Sequence, residues 1–270
     1  MALAAPPDLS DPSVPVQPLA RTYGRGHFTE PHAHEWGQVL YAVSGVMWVE
    51  TPREAMAVPP QRAVWLPPGV PHAIRVVSDL QMRNIYLRPA LAATLDTQVR
   101  VLEVNGLLRE LIVGLVAQAY DPEASEAQRS ASSIEPHYYE ALVSLALLEL
   151  QRARHRGVSI AMPEHSDRRL RSLCQAVIDA PSLQISFEQH AEQVGASVRT
   201  LARLFQASVG VGFAQWRRQV QLATATAQLL QGLPVSRVAQ SLGYSPSSFS
   251  DMFRREQGMT PSAYVQQAGR

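Results

Sequence analysis

The chain has 270 residues, of which 46% are apolar and 17% charged, with a net charge of +1. That balance excludes a disordered chain, and no apolar run approaches the about 20 residues of a membrane span. The single cysteine, Cys174, excludes an internal disulfide and fits a reducing cytoplasm. All 24 basic residues are Arg, unevenly placed. Residues 1–165 carry 13 Arg and 17 acids, a net of −4, whereas residues 166–270 carry 11 Arg and 6 acids, a net of +5. A basic C-terminal part behind an acidic N-terminal one suits a nucleic-acid-binding module joined to something else.

Residues 1–20 hold five prolines and little periodicity, which predicts an extended arm; without a basic start, no secretory signal is expected. From Tyr23 short β-like runs begin. Within Pro31–Glu50 the period of two puts His32, His34, Trp36, Gln38 and Leu40 on one face and Val39, Tyr41 and Val43 on the other. Ser44-Gly45 predicts a hairpin into Val46–Glu50. Ala63–Val77 turns at Pro67-Pro68-Gly69, after which His72, Ile74 and Val76 share a face. Many short strands with Gly/Pro turns predict a small barrel or sandwich.

Gly26-x5-His32-x-His34-x3-Gln38-x6-Gly45 resembles the first cupin motif, and Pro67-x-Gly69-x2-His72 resembles the core of the second. Gln61 and Val76 stand where the second motif has Gly and Asn. The resemblance covers about residues 21–90. It implies a barrel with inward histidines, and His32, His34 and His72 become candidate ligands for a divalent transition metal, since imidazole suits Zn, Ni, Fe or Cu. The family's acidic ligand is replaced by neutral Gln38. The other reading of the same residues is a pocket whose histidines hydrogen-bond a small molecule. His32, His34, Trp36, Gln38, Trp48, Trp65 and His72 are the candidate effector-binding set, because a face this polar is costly as plain core.

Helical spacing returns at Leu107, Leu108, Leu111, Ile112, Leu115 and Val116, with Asn105 able to cap the start. Asp121–Ser133 reads as a polar loop, and Ile134–Arg156 as a helix with Leu142, Leu145 and Leu148 along one side. These two helices serve the barrel or a homodimer interface. Residues 21–160 are thus expected to form a cupin-like effector-binding and dimerisation domain, and Gly157–Ser166 a linker.

Residues 166–270 read as an all-α domain. Asp167–Ala180 is helical, and Ser186 to Gln189 form a capping box. A pattern then occurs twice at an offset of 48 residues. Ala191, Gly195, Ser197, Leu201, Phe205 and Gly210 meet Ala239, Gly243, Ser245, Phe249, Phe253 and Gly258. Each copy has the outline of a helix-turn-helix. Val198, Leu201, Leu204 and Phe205 give the second helix of the first copy its apolar stripe, and Arg199, Thr200, Arg203 and Gln206 its free face. Arg can bridge both acceptors of guanine or clamp a phosphate. Phe213–Gln231 is a long helix joining the units.

VGASVRTLARLFQASVGVGFAQW and VAQSLGYSPSSFSDMFRREQGMTPSAY strongly resemble the AraC/XylS family of transcription regulators, over about 100 residues. The resemblance implies a regulator that binds double-stranded DNA and often carries a cupin-like sensor domain. It places base contacts on Arg199, Ala202 and Arg203, with Ser197, Thr200 and Gln206 beside them. In the second unit it places them near Ser247, Ser248 and Asp251, with Arg254 and Arg255 suited to phosphates. Two departures stand out: Gly243 to Phe249 is one residue shorter than is usual, and Asp251 occupies a place where an Arg can contact DNA.

The expected architecture is therefore α+β: a cupin-like β-barrel with two helices, then two helix-turn-helix units on a shared long helix. The expected function is a cytoplasmic, dimeric transcription regulator, activator or repressor, controlled by a small molecule or metal and able to contact RNA polymerase. A cupin metalloenzyme with an added helical domain is the alternative; the missing carboxylate argues against it.

Overall fold

The computed structural model describes residues 15–117, 136–155, 159–163, 167–182 and 184–268. Contacts group the chain into two units, Met1–Met47 with Pro60–Gly157, and Trp48–Pro59 with Val158–Arg270.

The first unit is built on an antiparallel sheet of β1 (Val16–Tyr23), β2 (Gly37–Ser44), β5 (Arg62–Leu66), β7 (Leu80–Leu87) and β8 (Arg100–Glu103), in the order β1-β7-β2-β5-β8. β6 (Ala73–Val76) belongs to the same unit. Part of the expected arm is a sheet strand: β1 starts at Val16, with Val16 opposite Leu87 and Ala20 opposite Arg83. Residues 1–14 lie outside the described residues.

Register divides the sheet's two faces. Val39 sits opposite Trp65 and Ile85, so these three share a face. Gln38 sits opposite Leu66 and Tyr86, and Leu40 opposite Val64 and Asn84, on the other face. A slip of one residue would exchange the two sets. The short α1 (Pro89–Ala92) follows β7, and the Val39 face is covered by α2 (Gly106–Ala117) and α3 (Pro136–Arg152), with Trp65, Ile112 and Ala146 in one buried cluster. Asn105 caps α2 as expected, its Oδ1 accepting from Leu108 N at 2.8 Å. In α3 the inward residues are Val143, Ala146 and Leu150; Leu145 and Leu148 face outward, 40% and 54% exposed. The polar loop expected at 121–133 lies outside the described residues, as does Ile134.

Ser44-Gly45 does not make the expected hairpin. β2 pairs with β5 and β7, while β3 (Met47–Glu50) lies beside β4 (Glu54–Val58) in another sheet. Gly45 is needed at this exit: its φ is +86°, and a Cβ there would collide with the Asp79 carbonyl.

In the second unit, β9 (Ser159–Ala161) pairs antiparallel with β4, and Met162 N donates to Arg53 O at 2.7 Å. Part of the expected linker is thus a strand. Seven helices follow among the described residues: α4 (Arg168–Asp179), α5 (Phe187–Gln193), α6 (Val198–Val209), α7 (Phe213–Leu230), α8 (Val235–Ser241), α9 (Pro246–Gln257) and α10 (Pro261–Ala268). Asp167 caps α4, and the Ser186/Gln189 capping box opens α5.

α7 is the spine of this unit. Its Trp216 is fully buried, and Trp216 Nε1 donates to Ala161 O at 2.7 Å, tying α7 to β9. Its Gln221 is buried with both ends of the amide satisfied. Nε2 donates to Pro181 O at 2.8 Å, and Oε1 accepts from Tyr244 O–H at 2.9 Å. A buried amide costs little only when paired in this way. Here the pairing holds the turn of the second helix-turn-helix against the spine. Cys174 is buried in α4, where desolvation pushes its thiol up and away from thiolate chemistry.

Candidate functional site

The chain offers two surfaces with chemistry, one in each unit. The first is the Gln38 face of the β1-β7-β2-β5-β8 sheet. His32 and His72 form an isolated antiparallel bridge, His32 N donating to His72 O at 3.0 Å and His72 N to His32 O at 2.8 Å. A directly opposed pair puts both side chains on one side, and their rings lie 4.4 Å apart. The turn at Gly69 holds the third histidine, Gly69 N donating to His34 O at 2.8 Å. His34 sits 5.2 Å from the His72 ring and 5.5 Å from Tyr86. One ring nitrogen of each of His32, His34 and His72 lies within 4.8 Å of the other two.

The tautomers follow from the partners. His32 Nδ1 faces Glu30 O at 2.9 Å, His34 Nδ1 faces Trp36 O at 2.7 Å, and His72 Nδ1 faces Val70 O at 2.9 Å. A carbonyl only accepts, so each Nδ1 carries the proton and each neutral ring has its lone pair on Nε2. Gln38 Oε1 stands 3.1 Å from His34 Nε2. With Nδ1 already the donor, that contact is satisfied by turning the Gln38 amide so that its NH2 donates. His72 Nε2 is buried without a hydrogen-bond partner among the described residues. Burial holds the His72 pKa down at about 4, the Val70 carbonyl opposing and the neighbouring His32 and His34 assisting. The three residues therefore fit a soft or borderline metal ion: three neutral imidazoles, each oriented by a main-chain acceptor, with one nitrogen left unsatisfied.

Other groups continue this wall. Asn84 is buried with Oδ1 unpartnered among the described residues, and burial pushes the Tyr86 phenol up to about 12, Asn84 acting against that. Asn84 was missed from the sequence. A polar residue alternating with Met82 and Tyr86 was the available signal. Two aromatic expectations change. Trp65 does not join the set, because register places it opposite Val39, on the helix-covered face. Its Nε1 donates there to Asp96 O at 2.6 Å, beside an outer cleft of about 430 Å³ lined by Leu95, Arg100, Leu102 and Leu150. Trp36 is buried, with the Arg88 guanidinium 4.9 Å over its ring. Trp48 is buried in the other contact unit.

The second surface is the duplicated helical module. α5 and α8 have seven residues each, and α6 and α9 twelve each, at the same offset of 48. The turns repeat as well: Gly195 and Gly243 have φ of +65° and +80°, and Gly210 and Gly258 close α6 and α9 at +80° and +72°. The two turns thus match residue for residue. Leu201 and Phe205 are fully buried, as are Phe249 and Phe253; each such burial contributes about 2–3 kcal/mol.

The exposed residues are not duplicated. Arg199, Ala202, Arg203 and Gln206 lie on the outward face of α6, all exposed, with Thr200 half-buried beside them. No ion pair among the described residues involves Arg199 or Arg203. Ser197 is occupied as the N-cap, accepting from Thr200 N at 3.1 Å, and Gln206 Nε2 donates to Gly210 O at 2.8 Å. On α9, Ser247, Ser248, Asp251, Arg254 and Arg255 are exposed. Ser245 accepts from Ser248 N and lies 3.1 Å and 2.9 Å from the Ser247 and Ser248 hydroxyls. Asp251 Oδ1 holds Arg254 Nη2 at 2.7 Å. Ser197 and Thr200 bond each other on α6 as Ser245 and Ser248 do on α9, so the units differ in their cations: Arg254 is held by Asp251, whereas Arg199 and Arg203 are in no ion pair among the described residues. Val198, expected in the apolar stripe, is 37% exposed, because at the first turn of α6 it extends past the packed core.

Two capped helix-turn-helix units on one spine, following a β-rich domain with a polar sheet face, define a DNA-binding regulator with a ligand-binding domain. Residues 190–267 match the family described as a helix-turn-helix domain, and residues 15–141 match the AraC-like ligand binding domain. The chain is 30% identical over 244 residues to the HTH-type transcriptional regulator NimR of Escherichia coli K12, covering 90% of this chain and 84% of that protein. It is 36% identical over 104 residues to the HTH-type transcriptional regulator RipA of Corynebacterium glutamicum, covering 38% of this chain and 31% of that one. It is 33% identical over 115 residues to the HTH-type transcriptional activator RhaR of Salmonella typhi, covering 41% and 40%. The chain belongs to the AraC family of transcription regulators, and it is a regulator rather than a metalloenzyme. No described helix is long and apolar enough to cross a membrane.

Proposed function

We propose that the first helix-turn-helix unit discriminates bases, that the second anchors the chain on phosphates, and that a small-molecule effector held on the Gln38 face of the sheet controls both. The observation that carries the division of labour is a duplicated skeleton with unduplicated exposed chemistry: free Arg199 and Arg203 on α6, against Asp251 paired to Arg254 on α9. Arg aimed at a guanine edge gives about 1–3 kcal/mol of discrimination, whereas phosphate contacts position without reading sequence. α7, at 18 residues, is about 27 Å long, comparable to the about 34 Å of one DNA turn. That length supports both units engaging one side of a duplex.

The unpartnered Asn84 Oδ1 and His72 Nε2 support the effector reading, since buried polar atoms without partners are rare unless something else satisfies them. A homodimer is part of the proposal. Tyr138, Ala141, Leu145 and Leu148 are exposed on α3 at the 3-4-3 spacing of a coiled-coil seam. The test is binding to a duplex selected in vitro from a random pool. Arg203→Ala should lose about 10- to 100-fold on the selected duplex and much less on unselected DNA. Equal losses on both would place Arg203 on phosphates and reject the division.

A further inference from the structure

We propose that His32, His34 and His72 bind a divalent transition metal through Nε2, with the Gln38 carbonyl oxygen as a fourth donor. The inference deepens the reading of the Gln38 face as a binding wall and rests on it. Nothing in DNA binding requires it.

Orientation is the first argument. All three Nδ1 atoms are committed to main-chain carbonyls, of Glu30, Trp36 and Val70, so the three Nε2 atoms are the available donors, that of His34 once the Gln38 amide facing it turns its oxygen toward the ion. Metal-binding imidazoles need this arrangement, one nitrogen held by an acceptor and the other presented to the ion. Three unrelated carbonyls enforce it here.

Preorganisation is the second. His32 and His72 are locked by reciprocal main-chain hydrogen bonds, and His34 by Gly69 N. A tetrahedral ion with metal–nitrogen bonds of about 2.0–2.1 Å sets its donors about 3.3 Å apart. His34 Nε2 and the facing atom of the Gln38 amide already stand at 3.1 Å, and turning that amide puts its oxygen there. The histidine nitrogens, within 4.8 Å of one another, need to close by about an ångström or a little more, which small χ rotations supply.

Dissatisfaction is the third. His72 Nε2 is buried and has no protein partner among the described residues. A cluster that existed only for packing would not leave its deepest lone pair empty. An ion at the centre of the three rings satisfies it together with the other two. Imidazole donors favour Zn, Co, Ni or Fe over Ca or Mg, which want oxygen ligands. No carboxylate joins the group. The donor set is therefore neutral, and it should bind more weakly than one that includes an acid.

Full-length protein stripped with a chelator and titrated with Co2+ alone tests the site. The expected result is one equivalent bound, with the intense visible bands of low-coordinate Co2+ and a raised Tm. His34→Ala and His72→Ala should each weaken binding by about 100-fold or more, since losing even an outer-shell partner costs about 10- to 100-fold. Gln38→Glu, which restores a carboxylate, should tighten it by about tenfold and shift the bands. Undiminished binding in either histidine variant would overturn the proposal. So would failure of the natural chain to take up Co2+, whether or not Gln38→Glu does. The titration contains neither DNA nor effector, so failure there leaves the regulator reading intact. Failure of that reading would show instead in the DNA-binding assay.

Discussion

Replacing Asp251 with Asn should tighten DNA binding. Asp251 Oδ1 holds Arg254 Nη2 at 2.7 Å on the outer face of α9, where the two side chains are 66% and 61% exposed. An ion pair this wet contributes about 0–1 kcal/mol to folding, so its loss should leave the domain intact. Toward DNA two things change together. A negative charge facing the phosphates disappears, and the Arg254 guanidinium is released to meet one. Each phosphate contact contributes about 0.9 to the slope of log K against log salt. Between 1 M and 0.1 M salt that amounts to a factor of about eight, or about 1.2 kcal/mol. Asp251→Asn is therefore expected to bind about eightfold more tightly at about 0.1 M salt, with a slope steeper by about 0.9. Asp251→Arg, adding a second cation, should approach twice that change in slope. Fluorescence anisotropy with a labelled duplex, at salt concentrations from about 50 to 300 mM, reads both quantities. Weaker binding at unchanged Tm, or an unchanged slope, would refute the view that Asp251 restrains Arg254.

Acid should loosen the helical module through His190. Its burial and then the Arg217 charge hold its pKa below the ordinary 6.5, with a Gln193 hydrogen bond opposing. As pH falls through 6.5 the unfolded chain takes up the proton first. Stability should thus fall below about pH 6.5 and level off beneath the folded pKa. Tm against pH checks this, and His190→Leu should flatten that part of the curve; an equal acid slope in the variant would assign it elsewhere. Gly45→Ala should destabilise the β-rich domain by about 2 kcal/mol or more, read by urea denaturation, because it adds a Cβ against the Asp79 carbonyl at φ +86°. A change below about 0.5 kcal/mol would show that the exit from β2 can relax. Leu145→Glu with Leu148→Glu should shift sedimentation toward monomer with little change in Tm, since both side chains face outward on α3. An unchanged dimer would move the interface off α3.

The helical module was legible in the sequence because its signals are local. Ser186, Ser197 and Ser245 cap, Gly195, Gly210, Gly243 and Gly258 take positive φ, and the apolar residues between them keep a helical period. Each fact is contained within about four residues, and the second copy confirmed the first. The sheet was legible in outline only. Alternation around Gln38 predicted which residues share a face, but it could not say which strand lies next to which. Trp65 was therefore counted among the pocket aromatics although register sets it opposite Val39, and β3 was paired with β2 when they lie in different sheets. Register is a long-range property, decided by how β2 meets both β5 and β7. The same limit hid Asn84, which becomes part of the wall only once β7 lies beside β2 with Leu40 opposite it. The three histidines were found by spacing. What the spacing could not reveal was that each Nδ1 already faces a main-chain carbonyl.

The central claim, that one unit reads and the other anchors, is tested most directly by the sequences the protein selects. Duplexes recovered from a random pool by the natural chain should carry a strongly specified segment under α6 and a weakly specified one about one helical turn away, under α9. With Arg199→Ala and Arg203→Ala the first segment should lose its specificity while the second is unchanged. If the α9 segment proves equally well specified, or if the Arg203→Ala protein selects the same sequences as the natural chain, the account is wrong.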